Sequence, residues 1–181
     1  MKYSQTIILK NGKEALLRNG DSPDGSAVYE VFNLTHAETD YLLSYSDENS
    51  LDPEQEAKFL EEKTKSPNGV EILALVDGKI VGLAGIEPVG AKYKVRHRAD
   101  FGISVLKDYW GLGLGRALAK ACIQCAKDAG YVQLELNAVA ENERALALYR
   151  DLGFVEYGRN PRGFNSRLSG YQELVYMLLE L

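Results

Sequence analysis

A turn with glycine at every second position, set between an alternating stretch and a helical stripe, constrains this chain most. Ala99, Phe101, Ile103 and Val105 alternate with Asp100, Gly102 and Ser104, the period of a β-strand. Gly111, Gly113 and Gly115 follow. Leu114, Leu118, Ala121, Cys122 and Cys125 then recur along one side of a helix over residues 111–130. Glycine lets the backbone come close to a ligand, and the first turn of a helix carries N–H groups without intrahelical partners. The helix dipole adds partial positive charge there. Strand, glycine turn and helix in that order suit a phosphate or diphosphate, and Arg116 can add a charge-assisted contact. Taken alone, the turn reads equally well as a flexible connection.

The flanking segments supply a frame. Residues 13–18 read as a first strand. Ser22-Pro23-Asp24 reads as a helix start, followed by Val28, Val31, Phe32 and Thr35 at helical spacing. Asp52-Pro53-Glu54-Gln55 starts a second helix, with Gln55 placed to complete a capping box. Residues 70–76 and 79–86 make a hairpin about Asp77-Gly78. Residues 132–137 alternate as a strand. Ala145, Leu148, Tyr149 and Leu152 form a short helical stripe begun by Asn142 and ended by Gly153, and residues 154–157 and 171–179 close the pattern as strands. Hairpins followed by a βαβ unit imply an α/β (α+β) fold, a mixed sheet covered by helices. A length of 181 residues suits a single domain over 1–181.

Composition narrows the function classes. The apolar fraction of 45% and charged fraction of 26% are those of a globular chain, not of a disordered or fibrous one. A net charge of −5 argues against general nucleic-acid binding, which needs a basic surface. No apolar stretch approaches the ~20 residues of a membrane span and no signal-peptide pattern opens the chain, so the expected location is the cytoplasm. Cys122 and Cys125 form a CxxC inside a helical apolar pattern, with no second pair or nearby His to complete a metal site, and read as buried small hydrophobes. His36 and His97 lack partners at ligand spacing, so no metal is expected. A dinucleotide fold is the main competitor for the glycine turn. In that motif Arg116 or Leu118 would fill a place that calls for a small residue, although Glu135 falls where the ribose-binding acid would stand.

The turn Trp110-Gly111-Leu112-Gly113-Leu114-Gly115 resembles the Q/R-x-x-G-x-G/A signature of the GNAT superfamily of acyl-CoA-dependent N-acyltransferases, with Trp in the first position. Residues 142–154, NERALALYRDLGF, match the second signature of that family, N-x-x-A-x-x-L-Y-x-x-x-G-F, at every fixed place. Residues 171–177 resemble its closing strand. The resemblance covers residues 70–181 well and residues 1–69 by element order only. It implies a central, mostly antiparallel mixed sheet of six to seven strands flanked by about four helices. The family's fourth and fifth strands, here residues 99–106 and 132–137, are expected to splay into a cofactor slot.

The resemblance further implies acetyl-CoA as acyl donor and an amine as acceptor. The diphosphate would sit on the backbone of Gly111, Leu112, Gly113, Leu114, Gly115 and Arg116. The pantetheine arm would pair with the strand edge at Ile103 and Val105, and Asn142 would bond the arm besides capping its helix. Tyr149 is the general-acid candidate for the leaving thiolate, and its place on an apolar stripe also fits a core tyrosine. A backbone N–H near Ile103 and Val105 would hold the oxyanion. Asp100 is the candidate base for the acceptor ammonium, with Glu87 as rival. Glu135 reads as surface.

The acceptor is expected to be a small-molecule amine or a peptide N-terminus. A non-catalytic acyl-CoA-binding module is the alternative. Expected partners do not include nucleic acid or membrane; a second copy of the chain, as a homodimer, is the protein partner to consider. Acceptor choice is assigned to residues 20–69, the basic stretch 92–98 and a loop at 159–170. Asp47, Glu48, Asp52, Glu54 and Glu56 could attract a polyamine, though a solvated acidic face is the plainer role. Arg159, Arg162 and Arg167 would instead allow an acceptor bearing a carboxylate.

Overall fold

The computed structural model describes all 181 residues. The strands are β1 (Ser4–Ile8), β2 (Glu14–Asn19), β3 (Val70–Val76), β4 (Lys79–Pro88), β5 (Arg98–Val105), β6 (Gln133–Val139), β7 (Val155–Ser166) and β8 (Gly170–Glu180). The helices are α1 (Gly25–Glu38), α2 (Pro53–Lys65), α3 (Leu114–Asp128) and α4 (Glu143–Asp151). One sheet runs β1-β2-β3-β4-β5-β6-β8-β7. Every neighbouring pair is antiparallel except β5 and β6, which α3 joins as a parallel crossover.

Helices cover both faces. α3 and α4 pack on the face formed by Ile72, Ala84, Ile86, Phe101, Leu134 and Leu136, together with the buried free thiols Cys122 and Cys125. α1 and α2 pack on the other, where Val28, Val31 and Leu60 meet Leu73 and Leu83. The start of α2 follows its sequence: the Asp52 carboxylate accepts from Gln55 N at 2.8 Å and the Asp52 N–H donates to Gln55 Oε1 at 3.0 Å. α1 itself starts later than the sequence suggests: Asp21 accepts from Ser22 N and caps a short 3₁₀ turn over Ser22–Asp24, α1 follows from Gly25 without a side-chain cap, and Asp24 is held by Arg18 through two 2.7 Å hydrogen bonds.

The structure adds to the expected strand set at both edges. β1 is an eighth strand, one more than the six to seven expected, and its polar, mostly exposed pattern hides it in the sequence. The expected loop at 159–170 is instead mostly strand, since β7 and β8 form a long hairpin. Gly158, Pro161 and Gly163 disguise it. Register shifts at Glu156/Gly158 and Asn160/Phe164 absorb them, and Pro161 needs no ladder partner on the outermost strand.

β5 and β6 then part. They pair only through Arg98–Gln133, Ala99–Leu134 and Asp100–Glu135. Beyond that, β5 stays with β4 through Val105, while β6 stays with β8 through Val139. A wedge opens between them, ahead of α3.

Candidate active site

The glycine turn builds the first wall of the site. Gly111 has φ +80° and Gly113 has φ +93°, backbone that an L side chain rarely adopts. α3 begins with no side-chain cap, and the first helical bond runs from Ala117 N to Gly113 O. The N–H groups of residues 111–116 donate to no protein acceptor, so six consecutive amides stand free at the positive end of α3. A Cβ built on Gly113 would meet nothing within 4 Å, so the space in front of the turn is open. The turn is braced from behind by Lys10 N donating to Leu112 O at 3.0 Å.

A cavity of about 350 Å³ runs from this turn through the wedge. On the α3/α4 face it is lined by Gly111, Gly113, Gly115, Asn142, Leu148 and Tyr149, and by Ile103 and Val105 on the free edge of β5. On the α1/α2 face it is lined by Ser104, Thr35, Thr39, Tyr41 and Leu42. One cavity therefore joins the two faces of the sheet, and Thr35 Oγ1 bonds to Ser104 Oγ at 3.4 Å across its far wall.

Tyr149 sits between these halves. Its ring meets Phe101 edge-on at 6.2 Å and lies tilted on Phe154 at 5.9 Å, which fixes it. It is 7% exposed, yet its hydroxyl has no hydrogen-bond partner in the protein and faces the cavity. Burial pushes the phenol up to about 12, so it stays protonated as a donor. Tyr149 is thus both the core tyrosine and the cavity tyrosine that the sequence offers.

Asn142 uses its side-chain oxygen to cap α4, accepting from Ala145 N at 3.2 Å, and keeps its amide N–H groups for the cavity. On β5, Leu106 N donates to Val81 O, so by alternation Ile103 and Val105 direct their backbone groups toward the wedge. The Val105 carbonyl is already taken by Trp110 Nε1 at 2.6 Å. That narrows the expected contact to the Ile103 groups and the Val105 N–H, and gives the Trp in the first position of the turn a structural job. Arg116 lines the cavity while paired to Asp151 at 2.7 Å. Arg144 and Lys10 also line it and form no ion pair, and neither stood out in the sequence. Arg144 lies over the Trp110 ring at 5.7 Å, and its Nη2 is 2.8 Å from where a Gly111 Cβ would be. Its place in the second turn-proximal motif, beside Asn142, was the available signal.

The Acetyltransferase (GNAT) family model matches residues 29–154. The chain belongs to the GNAT family of acetyltransferases. It is 25% identical over 165 residues to the L-amino acid N-acyltransferase MnaT of Escherichia coli, covering 91% of this chain and 93% of that one. A GNAT-family acetyltransferase from Streptococcus pneumoniae superposes with a TM-score of 0.88 at 29% identity, over 92% of this chain and 99% of the other. The acetyltransferase yncA of Salmonella typhimurium, solved with acetyl-CoA, superposes with a TM-score of 0.80 at 20% identity, over 92% and 94%. Family membership makes this chain an N-acetyltransferase, of a family that uses acetyl-CoA.

Within this GNAT frame the carboxylates sort by position. Asp100 is on the α1/α2 face, opposite Glu87 and beside Glu135, at the closed end of the wedge. It is outside the cavity lining, about 13 Å along the strand from Ser104. Burial, with Glu135 and Glu87 nearby, raises its pKa against the pull of Arg98. Glu87 is paired with Lys63. Glu135 departs from the expected surface role. It is 6% exposed, held by Arg98 through Nε and, at 2.7 Å, Nη2, and its pKa is lowered mainly by Arg98. The face opposite Leu134 and Leu136 is a second covered face, which alternation cannot tell from solvent. So engaged, Glu135 is not a ribose-binding acid.

Proposed function

We propose that the chain transfers the acetyl group of acetyl-CoA to a primary amine by direct attack in a ternary complex. The observation that carries this is the single cavity through the β5/β6 wedge, with six free amides and the unpartnered Tyr149 hydroxyl on one face and an open acceptor wall on the other. The free amides at 111–116 fit a diphosphate. The backbone groups of Ile103 and the Val105 N–H fit an extended, amide-rich arm laid along the β5 edge.

The chemistry follows from these positions. The acceptor enters from the α1/α2 face and loses its ammonium proton to Asp100 through water, a role suited to a carboxylate of raised pKa. The amine nitrogen attacks the thioester carbonyl, and a backbone N–H on the β5 edge steadies the oxyanion. As the C–S bond breaks, Tyr149 gives its proton to the sulfur and the attacking nitrogen gives its extra proton to water, leaving a neutral amide and the free thiol. Water relays the proton held by Asp100 back to Tyr149.

The arginines at the hairpin tip are largely matched by the chain itself. Arg159 binds Glu156 and Glu173, and Arg167 binds Asp47 and Glu48. This favours an acceptor amine without a carboxylate, in contrast to the amino acid in the name of the E. coli relative. Release of free thiol from acetyl-CoA against an amine panel tests the function. Thiol release that depends on an amine is expected; tight acetyl-CoA binding with no release under any amine would make the chain an acyl-CoA-binding module instead.

A further inference from the structure

The charge of the cavity that runs from the glycine turn into the wedge is opposite to that of the chain. The chain carries a net charge of −5, yet the cavity lining holds Lys10, Arg116 and Arg144 and no carboxylate. A cleft lined by one sign of charge concentrates ligands of the other sign. Arg116 is matched by Asp151 at 2.7 Å. Arg144 and Lys10 form no ion pair, although Glu141 and Glu143 stand within three residues of Arg144.

Both unmatched cations stand at the leading end of the turn. The Arg144 guanidinium lies over the Trp110 ring at 5.7 Å, with Nη2 2.8 Å from where a Gly111 Cβ would be. The Trp110 ring is held in turn by Nε1 donating to the Val105 carbonyl at 2.6 Å. Trp110 fills the place where the family signature has Gln or Arg, so a guanidinium reaches this turn from α4 and not from the turn itself. Lys10 is brought beside it by its N–H, which donates to Leu112 O at 3.0 Å. Acetyl-CoA carries two kinds of phosphate. Its diphosphate fits the six free amides at 111–116. Its 3′-phosphate is a monoester with a charge of about −1.5 to −2 at neutral pH, and those amides are already committed. A guanidinium offers such a group paired donors in a fixed fork, and an ammonium adds a point charge.

We infer that Arg144 binds the 3′-phosphate of the donor, with Lys10 as the second cation, so that the chain selects acetyl-CoA over its 3′-dephospho form. This rests on the proposed donor site and names the group that the site distinguishes. Titration calorimetry without any acceptor, using acetyl-CoA and 3′-dephospho-acetyl-CoA, reads the selection without turnover. The parent is expected to bind acetyl-CoA about tenfold tighter, the worth of one charge-assisted contact. Arg144→Gln is expected to bring the two affinities within about twofold, by weakening acetyl-CoA alone. Lys10→Gln is expected to narrow the ratio by less. Gly113→Ala is expected to weaken both donors alike, since both carry the diphosphate. Three results would overturn the inference and leave the donor site standing: equal affinity of the parent for the two donors, equal weakening of both by Arg144→Gln, or the same narrowing by Lys120→Gln, which removes a cation of α3 outside the cavity. Gly113→Ala that weakens neither donor would overturn the donor site itself, and the inference with it.

Discussion

Replacing the three turn glycines by alanine, one at a time, separates what the turn does for the fold from what it does for the donor. Gly113 has φ +93° and open space around its Cβ position, so alanine there costs only backbone strain, about 1–2 kcal/mol. For a chain of this size, that lowers Tm by roughly 2–8 °C. Relieving the strain re-aims the amides. Losing even one bond to a charged phosphate, worth about 1.5–3 kcal/mol, weakens acetyl-CoA binding by roughly tenfold to a hundredfold. Gly115 lies inside α3, where a Cβ would stand 3.6 Å from Leu148 Cδ2 and 3.9 Å from Ile103 Cδ1, ordinary contact distances. Alanine there gains up to about 1 kcal/mol of helix propensity, so Tm holds or rises. Gly111 has φ +80°, and its Cβ would also displace the Arg144 guanidinium, so Gly111→Ala is expected to lose both stability and affinity. Calorimetric melting and titration with acetyl-CoA read the two effects. Gly115→Ala harming both as much as Gly113→Ala would refute the assignment of the turn.

Tyr149→Phe is expected to cut kcat by about a hundredfold while acetyl-CoA affinity and Tm stay near the parent values, because the lost hydroxyl has no protein partner; steady-state kinetics with calorimetry check it. Glu71 is pushed up to about 8 by burial, with Glu56 and Glu87 adding and Lys63 opposing. Its folded form therefore binds a proton that the unfolded chain has released, so its contribution to stability is full below pH ~4.5 and is lost as the pH rises toward 8. Melting curves across that window should show Tm falling, with Glu71→Gln flattening the fall; an equal slope in the variant would contradict it. Arg98→Ala strips Glu135 of its partner on a covered face and is expected to cost roughly 1–3 kcal/mol in denaturant unfolding, the lower end reflecting the one-third exposure of Arg98. Arg98→Lys should recover part of that loss.

The parts of the fold that sequence reveals are those where local chemistry and burial agree. The α2 start was legible because Asp52, Pro53 and Gln55 each act within four residues. The glycine turn was legible because Gly111 and Gly113 hold a backbone that other residues resist. β1 and the outer part of β7 were not, because edge strands need little apolar pattern and their stability comes from partners distant in sequence. The burial of Glu135 was hidden for a related reason: alternation shows that two faces differ, not that the second is covered and carries Arg98. Lys10 belongs to the site only because its N–H is tied to Leu112, a contact across about a hundred residues.

The most direct measurement is a crystal structure of the chain with acetyl-CoA bound. Diphosphate oxygens on the amides of residues 111–116, with the thioester sulfur in the β5/β6 wedge within hydrogen-bond reach of the Tyr149 hydroxyl, are the expected result. Acetyl-CoA lodged elsewhere, or its thioester pointing away from the wedge, would contradict the central claim.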